Sequence, residues 1–301
     1  MRLAHERMAD QNIQESKIGS LVRSARNSWA ESIEGIIRKH SPYPITYDVG
    51  QIQTSRFTEY TYTELLSGAW IATQSREMNC RINSLLINAD ETIKLDDLAA
   101  CLTDKYNLKS VEHTHSGAKK VVFVPGHNML DVSSVELITR LVHEEPDVII
   151  KPHPLTNDEA LGFMGTRFGW NRMADKMASG HKMLLDADIV YTTSASEFSL
   201  SATALGKKVV NVSNFFNELV GAYYPISHFL FLAHKESVTK AQAVLSCLVN
   251  SDKSGLVFPW QENIEQRIES YYANSLDVKQ RYQCFTDKSQ KNVIQGEKAN
   301  V

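Results

Sequence analysis

Long apolar runs, paired cysteines and an excess of charge of one sign are all missing from this 301-residue sequence. No stretch of about 18 consecutive apolar residues occurs, so no segment is predicted to span a bilayer as a helix. The four cysteines include no CxxC pair and no Cys/His cluster with zinc spacing: Cys80, Cys101, Cys247 and Cys284. They are predicted to be buried thiols in a reducing compartment.

Charge and composition narrow the class of protein further. The 32 Lys and Arg residues nearly balance the 35 Asp and Glu residues, giving a net charge of -3. Bulk binding to nucleic acid is therefore not expected. Hydrophobic residues make up 43% and charged residues 22%, which excludes a largely disordered chain, collagen and a small disulfide scaffold. The first residues contain no apolar core typical of a signal peptide, which favours a soluble cytoplasmic protein.

The pattern along the chain predicts three parts. Residues 1–116 should form a smaller, mostly helical domain, with a short strand near 45–49 and helix over 61–104; this part is assigned to the acceptor side or to a partner interface. Residues 117–255 change character and should form a Rossmann-like domain. Residues 256–301 should contribute a C-terminal helix and a polar tail.

The middle part shows the alternation of strands and helices that is typical of a doubly wound α/β domain. Four short apolar runs are predicted to be buried parallel strands, with helices between them: Val121–Gly126, Val148–Pro154, Ala187–Thr193 and Lys207–Ser213. A capping box, Ser194 to Glu197, is predicted to open the helix that ends at Gly206.

Three polar loops follow predicted strands directly and should converge. Ligands of open parallel sheets bind beyond the carboxyl ends of the strands, so these loops are expected to face one crevice. They contain Gly126-His127-Asn128, Lys151-Pro152-His153-Pro154 and Thr192 to Glu197. Gly126 would let the backbone approach a ligand closely, while His127 and Asn128 are candidates for contact or members of a turn.

The hydroxyl-rich loop is a candidate phosphate site. Thr193, Ser194 and Ser196 can donate hydroxyl hydrogen bonds to phosphate oxygens beside a helix N-terminus, where an anion is favoured. Glu197 can accept hydrogen bonds from ribose hydroxyls. The alternative is that Ser194 and Glu197 only cap the helix.

His153 is held extended between two prolines at the end of a strand. It can donate a hydrogen bond to a phosphate or, when protonated, act as a general acid for a leaving group. The alternative is a histidine that bonds a backbone carbonyl at the top of the sheet. Lys151 is either a phosphate-binding cation or a solvated lysine.

Together, the segments KPHP and YTTSASEF, the latter opening a helix that ends in ALGKKVV, resemble the nucleotide-binding half of GT-B glycosyltransferases. The likeness is to bacterial sialyltransferases, capsule Kdo transferases and polyol-phosphate transferases, and it covers about residues 119–250. The resemblance implies that His153 and Pro154 bind the donor phosphate and assist departure of the nucleotide. It implies that Thr193, Ser194 and Ser196 hold the same phosphate.

This resemblance predicts a GT-B-like enzyme that transfers a sugar, with a CMP-linked donor favoured, to the hydroxyl of a glycan or another acceptor. The scheme requires no metal and no cofactor. The acidic pair followed by glycine that supplies the base in sialyltransferases is missing, so Asp48 is the candidate base; its alternative is a turn aspartate. Two other interpretations are a nucleotide-binding or scaffolding module without catalysis, and a sugar-nucleotide epimerase.

Overall fold

A computed structural model of the chain describes ten segments. These are residues 28–40, 45–47, 59–65, 68–72, 92–109, 112–124, 132–154, 156–193, 196–212 and 224–281. Within them the helices, in chain order, are α1 Ser28–His40, α2 Asp96–Lys109, α3 Val132–Glu144, α4 Asp158–Phe168, α5 Gly180–Asp186, α6 Phe198–Ala204, α7 Tyr224–Glu236, α8 Val238–Asn250 and α9 Ile264–Arg281. The strands are β1 Ile45–Tyr47, β2 Glu59–Leu65, β3 Gly68–Ala72, β4 Lys120–Phe123, β5 Ile149–Lys151, β6 Ile189–Thr192, β7 Lys208–Asn211 and β8 Leu256–Val257.

The four apolar runs predicted from the sequence form one parallel sheet in the order β5-β4-β6-β7, which confirms the predicted α/β class. Short runs of Val and Ile suit strands that are covered on both faces, because every side chain then meets apolar neighbours. Val121, Val122 and Val190 are fully buried. Helices cover both faces, so the region is a three-layer α/β/α sandwich.

Side chains of β4 alternate between two apolar clusters on opposite faces of the sheet. Val121 and Phe123 pack in a cluster that includes residues of α2, α5, α6, α7 and α8. Val122 and Val124 pack on the other face with residues of α3 and α4. The crossover from β4 therefore runs on one face and the crossover from β6 on the other.

A second sheet of mixed direction has the order β1-β2-β3-β8. The sequence prediction of helix over residues 61–104 is wrong at its start, because β2 and β3 form an antiparallel pair there. The segment Glu59–Leu65 reads EYTYTEL, in which aromatic and β-branched residues favour a strand over a helix. The strand near residue 45 is confirmed as β1, which runs parallel to β2.

Helices α1 and α9 pack against each other beside this second sheet. Ile33 and Ile37 of α1 are buried with Ile268, Tyr271 and Tyr272 of α9. Helix α2 instead packs against the parallel sheet, where Leu98 and Leu102 join its core. The domain boundaries at residues 116 and 255 stay a prediction.

Two of the four cysteines lie in the described part. Cys101 and Cys247 are half-buried and form no disulfide, so the prediction of full burial is wrong for both. Cys80 and Cys284 lie outside the described residues. No helix in the segments described is long and apolar enough to cross a membrane.

Candidate functional site at the carboxyl edge of the parallel sheet

The candidate site lies where β4 and β6 end side by side. Their crossovers leave on opposite faces, and this is the point of a doubly wound sheet where ligands bind. Phe123 is in register with Lys151 on one side and with Thr192 on the other. Since neighbouring strands lie about 4.8 Å apart, the Cα atoms of Lys151 and Thr192 are about 10 Å apart at one edge. His153 and Thr193 follow them directly, as the sequence predicted.

Lys151 is the most unusual group at this edge. Its residue is only 4% exposed, and its Nζ donates hydrogen bonds to the carbonyl oxygens of Pro152 at 2.6 Å and Lys176 at 2.8 Å. Among the described residues it forms no ion pair with a carboxylate. An ammonium group in a dry environment normally acquires a counter-ion. Because Lys151 is buried, the alternative of a solvated lysine is wrong.

Burial sets the protonation of Lys151. Loss of water around the ammonium lowers its pKa to about 8, and the charge of Asp175 opposes this effect only in part. The carboxylate of Asp175 is itself bound by the backbone N–H of Met177 at 2.7 Å. A bound anion at the same edge would stabilise the charged lysine.

His153 stands at the surface just beyond β5, between buried Pro152 and exposed Pro154. Its carbonyl oxygen accepts a hydrogen bond from the N–H of Thr156 at 2.9 Å, which turns the chain toward α4. Burial by its surroundings lowers the pKa of the imidazole to about 4, and Lys151 lowers it further. Since the residue is exposed, water screens part of both effects. The ring is neutral at pH 7 in the absence of an anion.

Thr193 and Ser196 occupy the loop between β6 and α6. Thr193 is 2% exposed, and its Oγ1 has no hydrogen-bond partner among the residues that the structure describes. By strand alternation it shares a face with Val124 and Val212, opposite to the face of Lys151. Lys151 and Thr193 thus lie on either side of the end of β4.

Ser194, one half of the capping box predicted at the start of α6, lies outside the described residues, so the box stays a prediction. The helix begins at Phe198, so Glu197 occupies the N-cap position, and its side chain makes no capping hydrogen bond. The Oγ of Ser196 accepts from the N–H of Phe198 at 3.3 Å instead. Ser196 therefore satisfies one of the free N–H groups at the start of this short helix. Gly206, with φ at 70°, follows the helix end as predicted.

Other predicted site residues lie outside the described part of the chain. These are Asp48, Gly126, His127, Asn128 and Ser194. Their roles stay predictions.

The sequence did not predict that residues 173–176 lie beside Lys151 at the outer edge of the sheet. Met173 forms a parallel bridge with Ile150, and the chain then passes Lys151 through Asp175 and Lys176. Lys176 Nζ also donates to the carbonyl oxygen of Thr156 at 3.2 Å and pairs with Asp158 at 2.9 Å. No strand-like run marks this segment, so only the tertiary structure shows its position.

His113, in a polar segment just before β4, also interacts with the site. Burial and, next, the charge of His115 lower the pKa of His113, and Lys151 contributes to the lowering. His113 therefore lies within electrostatic reach of Lys151. A polar sequence between predicted elements gave no signal of this proximity.

Comparisons with solved structures give distant likenesses. No protein-family model matches the sequence, and no curated protein matches it. Among solved structures, a proposed UDP-N-acetylglucosamine 2-epimerase from Listeria monocytogenes is 11% identical, with a TM-score of 0.33, over 61% of this chain and 51% of that one. MnaA from S. aureus in a co-structure with UDP is 13% identical, with a TM-score of 0.28, over 69% of this chain and 53% of that one. The chain spans about half the length of each of these two solved structures. The TM-scores are too low to transfer a site or an activity.

Proposed function

We propose that the protein is a GT-B-like glycosyltransferase that moves a sugar from a nucleotide-sugar donor to an acceptor hydroxyl without a metal. The observation that carries this proposal is Lys151, a buried ammonium without a carboxylate ion pair among the described residues. It lies beside the position where doubly wound sheets bind nucleotides. A phosphate placed over the end of β4 would supply the missing negative charge.

The roles of the residues follow from this placement. Lys151 would neutralise the phosphate from one side of β4, and the Thr193 hydroxyl would donate a hydrogen bond from the other side. Ser194 and Ser196 would add donors from the same loop, and Glu197 would accept from the ribose. Catalysis would depend on positioning and on stabilising charge that develops on the leaving phosphate.

The transfer step breaks the bond between the anomeric carbon and the phosphate oxygen and forms one between that carbon and the acceptor oxygen. The departing phosphate keeps the electron pair. His153 would donate a hydrogen bond to it, and the phosphate charge would raise the low pKa of the imidazole. Asp48 would take the proton from the acceptor hydroxyl.

A CMP-linked donor suits the described part of the site best. CMP carries one phosphate, and Lys151 is the buried cation at the carboxyl edge in the segments that the structure describes. A diphosphate donor would place a second charge where these segments provide no second buried cation. The neighbouring Lys176 is engaged with Asp158.

The experiment that tests catalysis compares the wild type with His153→Ala in donor hydrolysis and sugar transfer. We expect the substitution to reduce kcat by about 10²–10⁴-fold, the usual contribution of a positioned proton donor. Unfolding in urea should change little, because the residue is exposed. An unchanged kcat would remove His153 from the mechanism. If the wild type binds nucleotide and neither hydrolyses nor transfers it, the protein is a binding module instead.

A further inference from the structure

A second cluster of ligand-type side chains, separate from the residues of the candidate site, lies between α1 and α9. His40 is the last residue of α1, and Glu265 and Glu269 are one turn apart on α9. His40 Nε2 is 2.9 Å from a carboxylate oxygen of Glu265, and Nδ1 is 3.6 Å from one of Glu269. One ligand atom from each of the three residues can be chosen so that all lie within 4.8 Å of one another.

Helix packing holds these side chains in place. Ile37 lies one turn before His40, and Ile268 lies between the two glutamates; both are fully buried in the same apolar cluster. The imidazole of His40 is only 17% exposed. The three donors are therefore brought together by a packed interface, although 225 residues separate His40 from Glu265.

The contacts inside the cluster are unequal. Glu265 Oε1 is contacted by both Lys39 Nζ and His40 Nε2, at 2.5 and 2.9 Å. Glu269 Oε1 lies 3.6 Å from His40 Nδ1, which is too long for a hydrogen bond. The carboxylate of Glu269 is therefore the member of the cluster that a bound cation would engage most readily.

We infer that His40, Glu265 and Glu269 form a binding site for a divalent cation of the zinc type. Imidazole nitrogen and carboxylate oxygen are ligands that Zn²⁺ accepts. Ligand atoms of a tetrahedral zinc ion lie about 3.4 Å apart, given bonds of about 2.1 Å. Rotations of the exposed Glu265 and Glu269 side chains would have to close the difference from 4.8 Å. The ion would join α1 to α9 and is separate from the transfer chemistry, for which the sequence predicted no metal.

Lys39 provides a sharp test because it competes with a metal. Its Nζ lies 2.5 Å from Glu265 Oε1, and this contact lowers the pKa of the Glu265 carboxyl and raises that of Lys39. An ion bound by Glu265 has to displace the ammonium or share the carboxylate with it. Lys39→Met removes the competitor and should therefore strengthen metal binding.

The experiment is a Zn²⁺ titration of the metal-stripped full chain by calorimetry, with the thermal midpoint as a second readout. We expect one tight Zn²⁺ per chain. His40→Gln and Glu269→Gln should each weaken its binding by more than about tenfold, since even indirect ligand partners contribute that much. Lys39→Met should tighten binding several-fold. Glu262→Gln, an exposed glutamate just before α9, is the matched control and should change neither readout.

Two results would overturn the inference. The first is a wild-type chain that shows no stoichiometric Zn²⁺ binding. The second is equal Zn²⁺ binding by wild type, His40→Gln and Glu269→Gln, which would place the ion at other histidines. Circular dichroism of each variant verifies that a loss of binding is not a loss of fold. Either overturning result would leave the three side chains as a polar contact between α1 and α9 without a metal.

Discussion

Thr203 and His234 are joined by a buried hydrogen bond of 2.8 Å between Oγ1 and Nε2. The threonine lies on α6 and the histidine on α7, and His234 is only 7% exposed. Burial lowers the pKa of His234 to about 4, and Lys208 lowers it further. The protein thus holds this imidazole in its neutral form.

The buried His234 should make the protein less stable at low pH. The histidine takes up a proton near pH 6.5 in the unfolded chain but only near pH 4 in the folded chain. The stability that depends on a neutral His234 is therefore fully present above pH 6.5 and is lost as the pH falls from 6.5 to 4. From pH 7 to pH 5 the free energy of unfolding should fall by about 2 kcal/mol from this group. Urea unfolding of wild type and His234→Gln at both pH values measures it. An equally steep loss in the variant would assign the effect to other groups.

A second buried hydrogen bond on α6 should stabilise the fold, so that removing one of its two hydroxyls lowers the free energy of unfolding. The hydroxyls of Tyr106 and Ser201 lie 2.7 Å apart, and Ser201 is fully buried. Tyr106→Phe leaves the serine hydroxyl without this partner and should cost about 1–3 kcal/mol of unfolding free energy. The double variant with Ser201→Ala should cost less than the two single changes together. Additive costs in urea unfolding would show that the hydroxyls do not interact.

Thr193 should show opposite effects on stability and on binding. Its buried Oγ1 makes no hydrogen bond within the described segments, so Thr193→Val removes an unsatisfied hydroxyl and should raise the free energy of unfolding by about 1 kcal/mol. The same change removes a donor from the proposed phosphate site and should weaken CMP binding. A variant that binds CMP as well as the wild type would exclude Thr193 from the site.

The parallel sheet could be predicted because its strands are short apolar runs that only burial on both faces explains. The carboxyl-edge position of Lys151 and His153 followed from that prediction. The environment of Lys151 could not be predicted, because it depends on residues 173–176. These residues carry no strand pattern and reach the sheet only through tertiary packing. Helix α6 begins at Phe198 rather than near Ser194, and Ser196 Oγ accepts a hydrogen bond from its first N–H.

The second sheet shows a different limit. The alternation in EYTYTEL was visible, but the polar residues between the aromatics also allowed a helix. Pairing with β3 and, through it, with β8 decides the conformation, and β8 lies almost 200 residues further along the chain. Contacts of such sequence separation also assemble His40 with Glu265 and Glu269.

The most direct test of the account compares two lysines in CMP binding. Lys207 Nζ also donates to a backbone carbonyl, that of Leu185 at 2.9 Å, but Lys207 precedes β7 and so lies at the opposite edge of the sheet. We predict that CMP raises the thermal midpoint of the wild type and of Lys207→Met. It should not raise that of Lys151→Met, whose fold should persist by circular dichroism. Equal CMP shifts in both variants, or none in the wild type, would contradict a phosphate site at the carboxyl edge.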